Sequence, residues 1–167
     1  MDINKVILGT GSYDNVKSGN TVSVTGDGGN AWDYYGAAYN KLAPRLMTYL
    51  PYAEKYEELL NITDEDKYKL FRRKIEDEYI KSYYDTRLKD LDVDNLLEIL
   101  NEKFGDKIIL LCHEPIEEFC HRRLIADYIE LETGIYIPEV SVDKNNKVKK
   151  LTPIRYKNRL KSVIENR

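Results

Sequence analysis

Lys107-Ile108-Ile109-Leu110-Leu111-Cys112-His113-Glu114-Pro115-Ile116-Glu117-Glu118-Phe119-Cys120-His121-Arg122-Arg123 decides the fold. Ile108 to Leu111 is an unbroken apolar run. That is the pattern of a strand buried on both faces, as in a parallel sheet covered on both sides. Pro115 breaks the chain after it. Residues 117–132 then read as a helix, with Phe119, Leu124, Ala126, Tyr128 and Ile129 as core contacts and Gly134 as its stop.

Elements alternate on either side of this unit. Upstream, Asp92 caps a helix over residues 93–104 that Gly105 ends. Before it, Thr63 caps the longest helix, residues 64 to about 91. Acidic residues fill its first turn, and Phe71, Ile75 and Tyr79 recur at helical spacing. Pro44 interrupts a helical stretch over 39–50, and Pro51 suits the first turn of another helix reaching about Leu60. Residues 4–8 and 20–25 read as strands, 9–13 and 26–29 as glycine-bearing loops, and 31–36 as an irregular turn. Downstream, residues 136–142 form a strand, Asn145-Asn146 a turn, and Thr152-Pro153 opens a short basic helix. The expected fold class is α/β: a mainly parallel central sheet with helices on both faces, a Rossmann-like three-layer arrangement. Residues 1–143 make one domain, and 144–167 make a basic extension that is not a separate domain.

Composition narrows the function classes. The chain has 167 residues, 42% hydrophobic and 33% charged, which fits a globular domain with its own core. No apolar run approaches the roughly 18 residues of a membrane span. The start has no signal-peptide layout, and the two cysteines sit in one motif, so reduced thiols and a cytoplasmic location are expected. Fourteen tyrosines against three phenylalanines offer amphipathic rings, either for half-buried helix faces or for a ring-lined pocket. The net charge of −3 conceals an asymmetry. Residues 144–167 hold nine Lys/Arg and one Glu, and the remainder is correspondingly acidic. Such a tail can bind nucleic acid or lie back on its own acidic body.

In open parallel sheets ligands bind beyond the carboxyl ends of the strands. Three polar segments follow strands here: 9–15, 26–30 and 112–121. Alternation along the strand puts Cys112 and Glu114 on one side and His113 on the other. The helix start carries Cys120, His121 and Arg122, and a helix N-terminus favours anions and thiolates.

Three readings of this motif compete. In an enzyme pocket, Glu114 and His121 are acid–base candidates and Cys120 is a nucleophile candidate. Arg122 then holds a phosphate or carboxylate of a small anionic, nucleotide-like ligand. Ser12, Tyr13, Asn15 and Cys112 supply further ligand contacts. In a metal reading, Cys112, His113, Cys120 and His121 are a zinc set of unusual spacing, so no cofactor is expected but zinc stays open. In a structural reading, Glu114 pairs with Arg122, the thiols fill core space, and Arg123 is a solvated helix residue. A non-catalytic module that sequesters a nucleotide or a protein, and a zinc-stabilised nucleic-acid-associated protein, are the alternatives to an enzyme.

The spacing Cys112-x-Glu114 followed by Cys120-His121-Arg122 resembles the DUF-488 family, whose hallmark is an apolar strand, Cys-x-Glu, a short loop and Cys-His-Arg opening a helix. Thr10-Gly11-Ser12-Tyr13-Asp14-Asn15, Tyr35-Gly36 and Leu42-Ala43-Pro44 resemble upstream elements of one branch, so the likeness spans roughly residues 6–135. It implies a bacterial, archaeal or phage protein with no settled activity. The chain departs from that branch by the inserted Gly11, by Gly26-Asp27-Gly28-Gly29 in place of a more basic segment, and by the strand and basic tail after Gly134.

Overall fold

The computed structural model describes residues 2–27, 29–31 and 34–166. Among the described residues there are eight strands: β1 (Ile7–Ser12), β2 (Asn20–Ser23), β3 (Asn30–Ala31), β4 (Tyr34–Tyr35), β5 (Ala37–Ala38), β6 (Ile108–Cys112), β7 (Glu139–Val142) and β8 (Val148–Leu151). The helices are α1 (Ile3–Val6), α2 (Leu46–Leu59), α3 (Glu65–Tyr83), α4 (Val93–Phe104), α5 (His121–Thr133) and α6 (Lys157–Glu165). Six strands form one sheet in the order β5-β2-β6-β1-β7-β8. All neighbours in it are parallel except β7 and β8. The protein is therefore mixed α/β with a mostly parallel six-stranded sheet, compatible with a three-layer arrangement.

β6 lies inside the sheet and all five of its residues are buried, as its apolar run demands. Alternation divides it between two faces. Ile108, Leu110 and Cys112 join the large core formed with Leu96, Leu97 and Leu100 of α4 and Leu124, Ile125 and Ile129 of α5. Ile109 and Leu111 face a smaller cluster with Tyr13, Val16, Val140 and Val142. Each fully buried leucine stabilises the fold by about 1.5–3 kcal/mol.

Several local expectations shift. Residues 3–6 are a helical turn capped by the Asp2 side chain, and the first strand starts only at Ile7. The expected loop at 9–13 is mostly strand, because residues 9–12 pair with β6, and the glycines suit it because neighbouring chain leaves no room for a Cβ. A Cβ on Gly9 would lie 2.7 Å from the Pro138 carbonyl oxygen, and one on Gly11 would lie 2.5 Å from Val16 Cγ2. Pro51 sits inside α2 rather than opening it, because Ala43 and Arg45 stay extended and the helix begins at Leu46. Asp64, not Thr63, caps α3, its carboxylate accepting from Lys67 N at 2.9 Å. α3 continues into a π-helical turn over Tyr84–Leu88. In the expected turn at 31–36, β3 pairs antiparallel with β4; Trp32 and Asp33 lie outside the described residues, as does Gly28 of the 26–29 loop.

The expected helix at 117–132 begins only at His121, since Glu118 N bonds Pro115 O in a separate turn. β8 was not anticipated, and α6 starts at Lys157 because the Tyr156 amide is held by Asp127 Oδ2 at 2.6 Å. Part of the basic tail lies on the acidic body: Arg155 contacts Asp127 and Glu130, Lys157 contacts Glu130, and Arg159 contacts Glu76 and Asp77. Leu160 is fully buried beneath it. No helix among the described residues is long and apolar enough to cross a membrane.

Candidate functional site

The carboxyl ends of β2, β6 and β1 are neighbours in the sheet, and the polar segments that follow them leave along one edge. Two of these segments, with α2 and α3, enclose a cavity of about 410 Å³. Its floor holds Glu114, Cys120 and His121; Thr25, Gly26, Asp27 and His113 form one side, and Tyr49, Tyr52, Tyr79 and Phe119 form the aromatic wall. The wall is an interlocked set: Tyr52 and Tyr79 centroids are 5.3 Å apart, Tyr52 and Phe119 5.5 Å, and Tyr79 and Phe119 5.0 Å in an edge-to-face contact. The opposite lip at Pro44 and Leu46 is fixed through its backbone. Tyr83 Oη donates to Leu42 O at 2.5 Å and Arg87 Nε to Ala43 O at 2.7 Å.

Cys120 is the N-cap residue of α5 with extended backbone, and its side chain makes no capping bond to the helix. Its Sγ instead lies 3.1 Å from Glu114 Oε2. His121 begins the helix proper and is nearly sealed. Its Nε2 lies 2.7 Å from the Val24 carbonyl, which can only accept, so Nε2 is the donor nitrogen. Cys112 Sγ lies 3.5–3.7 Å from the imidazole nitrogens. The ligand atoms of Cys112, Cys120 and His121 all fall within 4.8 Å of one another.

Electrostatics divide the protons among these groups. Burial first, then the Cys120 charge and its hydrogen bond, push the Glu114 carboxyl up to about 9. Burial also opposes ionisation of Cys120, but the Cys112 thiol hydrogen bond, Arg122 and His121 together hold it well below the ordinary thiol value. Burial and the neighbouring Cys120 hold the Cys112 thiol well above it. These shifts favour the negative charge on Cys120 over Cys112 and the protonated form of the Glu114 carboxyl beside it. Burial lowers His113; its Nε2 contacts Glu114 Oε1 at 3.2 Å.

The motif's other residues do different work from that expected. Arg122 is 1% exposed and does not line the cavity. Its guanidinium forks onto Glu139, Nη2 to Oε2 at 2.8 Å and Nε to both carboxylate oxygens at 3.2 Å, and Nη1 donates to the Glu114 carbonyl at 2.8 Å. A guanidinium saturated in this way has no free edge for a ligand anion. It acts as the strut that fixes the 113–119 loop, and its carboxylate partner is Glu139 rather than Glu114. Arg123, expected to be solvated, is buried and bonds Thr10 Oγ1 and Ile137 O, both at 2.8 Å. Among the described residues lining the cavity there is no Lys or Arg.

Ser12, Tyr13 and Asn15 do not reach this cavity either. Ser12 Oγ caps the turn at Asn15 N, and the Asn15 carbonyl pairs with Val142 N. Tyr13 bonds Ser23 Oγ at 2.8 Å and stacks on Tyr34 at 4.9 Å, beside a second cavity. Cys112 lies behind the floor, fully buried. Glu139, Thr10, Asp127 and the aromatic wall were not singled out from the sequence. Glu139 had one legible signal, a carboxylate between Pro138 and Val140 in a largely apolar stretch, whose burial demands a cation.

No curated protein and no solved structure matches the chain. The upstream likenesses at 10–15, 35–36 and 42–44 lie outside the residues that the family model matches. Residues 47–129 match the model of the family described as "Domain of unknown function DUF488", and over this span, which carries Cys112-x-Glu114 and Cys120-His121-Arg122, the chain resembles the DUF488 family.

Proposed function

We propose that the protein is an enzyme acting on a small polar ligand with a flat ring, of the nucleobase or nucleoside kind, bound against the aromatic wall. The observation that carries this reading is the convergence of the Glu114 carboxyl, the Cys120 sulfur and the His121 imidazole on the floor of one accessible cavity. Its volume lies within the roughly 300–1,000 Å³ of small-molecule sites. A base stacked on an aromatic side chain gains about 1–3 kcal/mol. Thr25, Asp27 and His113 offer hydrogen bonds to the ring's edge from the side opposite the wall.

Glu114 is placed to move a proton to or from the bound ring. The Val24 carbonyl locks the orientation of His121, and Cys120 stands at an uncapped helix start. With Arg122 turned away, the ring is the recognised part rather than a phosphate. A module that sequesters such a ligand without reacting is the rival.

The test is a mass-resolved incubation of free nucleobases and nucleosides with the wild type and with Glu114→Gln. Conversion of a ring ligand by the wild type, lost by about 10²-fold or more in E114Q with unchanged folding, is the expected result. Calorimetric binding without conversion would replace the enzyme with a sequestering module. Neither binding nor conversion across the panel would remove the ring-ligand reading.

A further inference from the structure

Cys112, Cys120 and His121 form the one grouping in the described structure whose donor atoms converge like the ligands of a transition metal. The cluster departs from the zinc set suggested by the spacing. His113 is not part of it; its imidazole is part-exposed and contacts the Glu114 carboxylate.

We infer that Cys112, Cys120 and His121 hold a Zn²⁺ ion whose fourth position opens into the cavity beside Glu114. This rests on the proposed reading of that cavity as a reaction site and adds the cofactor.

Four observations support it. The first is distance. Tetrahedral zinc with bonds of about 2.3 Å to sulfur and about 2.0–2.1 Å to nitrogen needs sulfur and nitrogen ligands roughly 3.6 Å apart. Cys112 Sγ lies 3.7 Å from His121 Nδ1, and the three donor atoms all fall within 4.8 Å of one another.

The second is orientation. Metal-bound histidines usually donate their other ring N–H to a carbonyl or carboxylate, which fixes the tautomer. His121 Nε2 is anchored in this way on Val24 O at 2.7 Å, leaving Nδ1 for the ion.

The third is charge. The nearest cation, Arg122, is already neutralised by Glu139. Two thiolates and one divalent ion make a neutral unit that can be buried without a further partner.

The fourth is access. Cys112 lies behind the floor while Cys120, His121 and Glu114 line the cavity, so three ligands approach from the protein side and the open side faces the ring pocket. Soft thiolate and imidazole donors in a three-plus-one arrangement select zinc over the oxygen-seeking ions. An ion held there would supply Lewis-acid activation of a water or of the ligand's ring, beside the Glu114 carboxyl that lies 3.1 Å from Cys120 Sγ.

The experiment uses the full chain, reduced and freed of metal by a chelator, then titrated with Co²⁺ and with Zn²⁺. The expected result is saturation at one ion per chain, with tetrahedral d–d bands and a thiolate-to-cobalt charge-transfer band of two-thiolate strength. Zn²⁺ should bleach both bands. C112S and C120S should each halve the charge-transfer band or lose the ion, while H113A leaves both unchanged. The wild-type spectrum decides even where a cysteine variant fails to fold. Absence of the charge-transfer band in folded wild type, or an unchanged band in C112S and C120S, would overturn the site. The two readings fail separately. Ring conversion by metal-free protein would retire the zinc and keep the enzyme, and a bound ion without conversion of any ring ligand would keep the zinc and retire the enzyme.

Discussion

Replacing Glu139 by leucine removes the carboxylate that Arg122 grips and leaves the guanidinium sealed in the core. The two side chains are 1% and 0% exposed and share three contacts of 2.8–3.2 Å. Water cannot compensate at that depth, and the remaining acceptor, the Glu114 carbonyl, is a dipole rather than a charge. Losing one partner of such a pair costs about 3–5 kcal/mol, a large share of the roughly 5–15 kcal/mol that holds a domain together. At about 2–4 °C per kcal/mol for a chain of this size, the melting temperature falls by roughly 6–20 °C. Urea unfolding followed by far-ultraviolet circular dichroism gives the free energy directly, with an unchanged m-value as the control for two-state behaviour. The double variant Arg122→Met with Glu139→Leu removes both charges and should recover most of the loss, since an apolar pair of similar volume replaces a buried ion pair at little net cost. A loss under about 1 kcal/mol for E139L, or a double variant as unstable as the single, would refute the claim that Arg122 depends on Glu139.

Other consequences of the packing are open to the same assay. Gly9→Ala forces a Cβ to 2.7 Å from a carbonyl oxygen that the sheet holds in place, and should cost about 1–3 kcal/mol; full stability in G9A would contradict the close β1–β7 approach. Thr10→Val strips an acceptor from Arg123 and a donor from Glu139, for a loss of about 1–3 kcal/mol; no change in urea midpoint would show that this network is dispensable. Leu160→Ala opens a hole under α6 and should cost about 2–5 kcal/mol; a neutral result would mean that α6 does not pack on the body. Lys147, Lys149 and Lys150 remain exposed on or beside β8. Any nucleic-acid affinity should therefore be weak, fall steeply with salt and vanish when all three are changed to glutamine; salt-insensitive binding would point to a different surface.

Much of the architecture was legible because it follows from local rules. The apolar run at 108–111 could only be a strand covered on both faces, and Asp92 with Gly105 bracketed α4 as cap and stop. What was missed depends on distant partners. Gly9 and Gly11 read as loop residues, but pairing with the distant strand β6 makes them strand, and the approach of the 138–140 segment leaves no room for a Cβ. The basic strand β8 carries no apolar alternation and exists because β7 offers it an edge.

In the site, the chemistry of Glu114, Cys120 and His121 was visible in the motif, and the fold brings these three together. The role of Arg122 was not, because its carboxylate lies 17 residues away on another strand. The aromatic wall was equally hidden. Tyr49 and Tyr52 come from α2, Tyr79 from α3 and Phe119 from the motif's own loop, and no local pattern separates these rings from the other tyrosines.

The central claim is that the cavity floored by Glu114, Cys120 and His121 is where the ligand sits. A crystal of the E114Q variant, soaked with a mixture of nucleobases and nucleosides, tests it at atomic level. The account requires ring density stacked on Tyr52 or Phe119, with a polar edge within hydrogen-bond distance of residue 114. Density only beside Tyr13 and Tyr34 in the second cavity, or an unoccupied floor with ligand bound in solution, would contradict it.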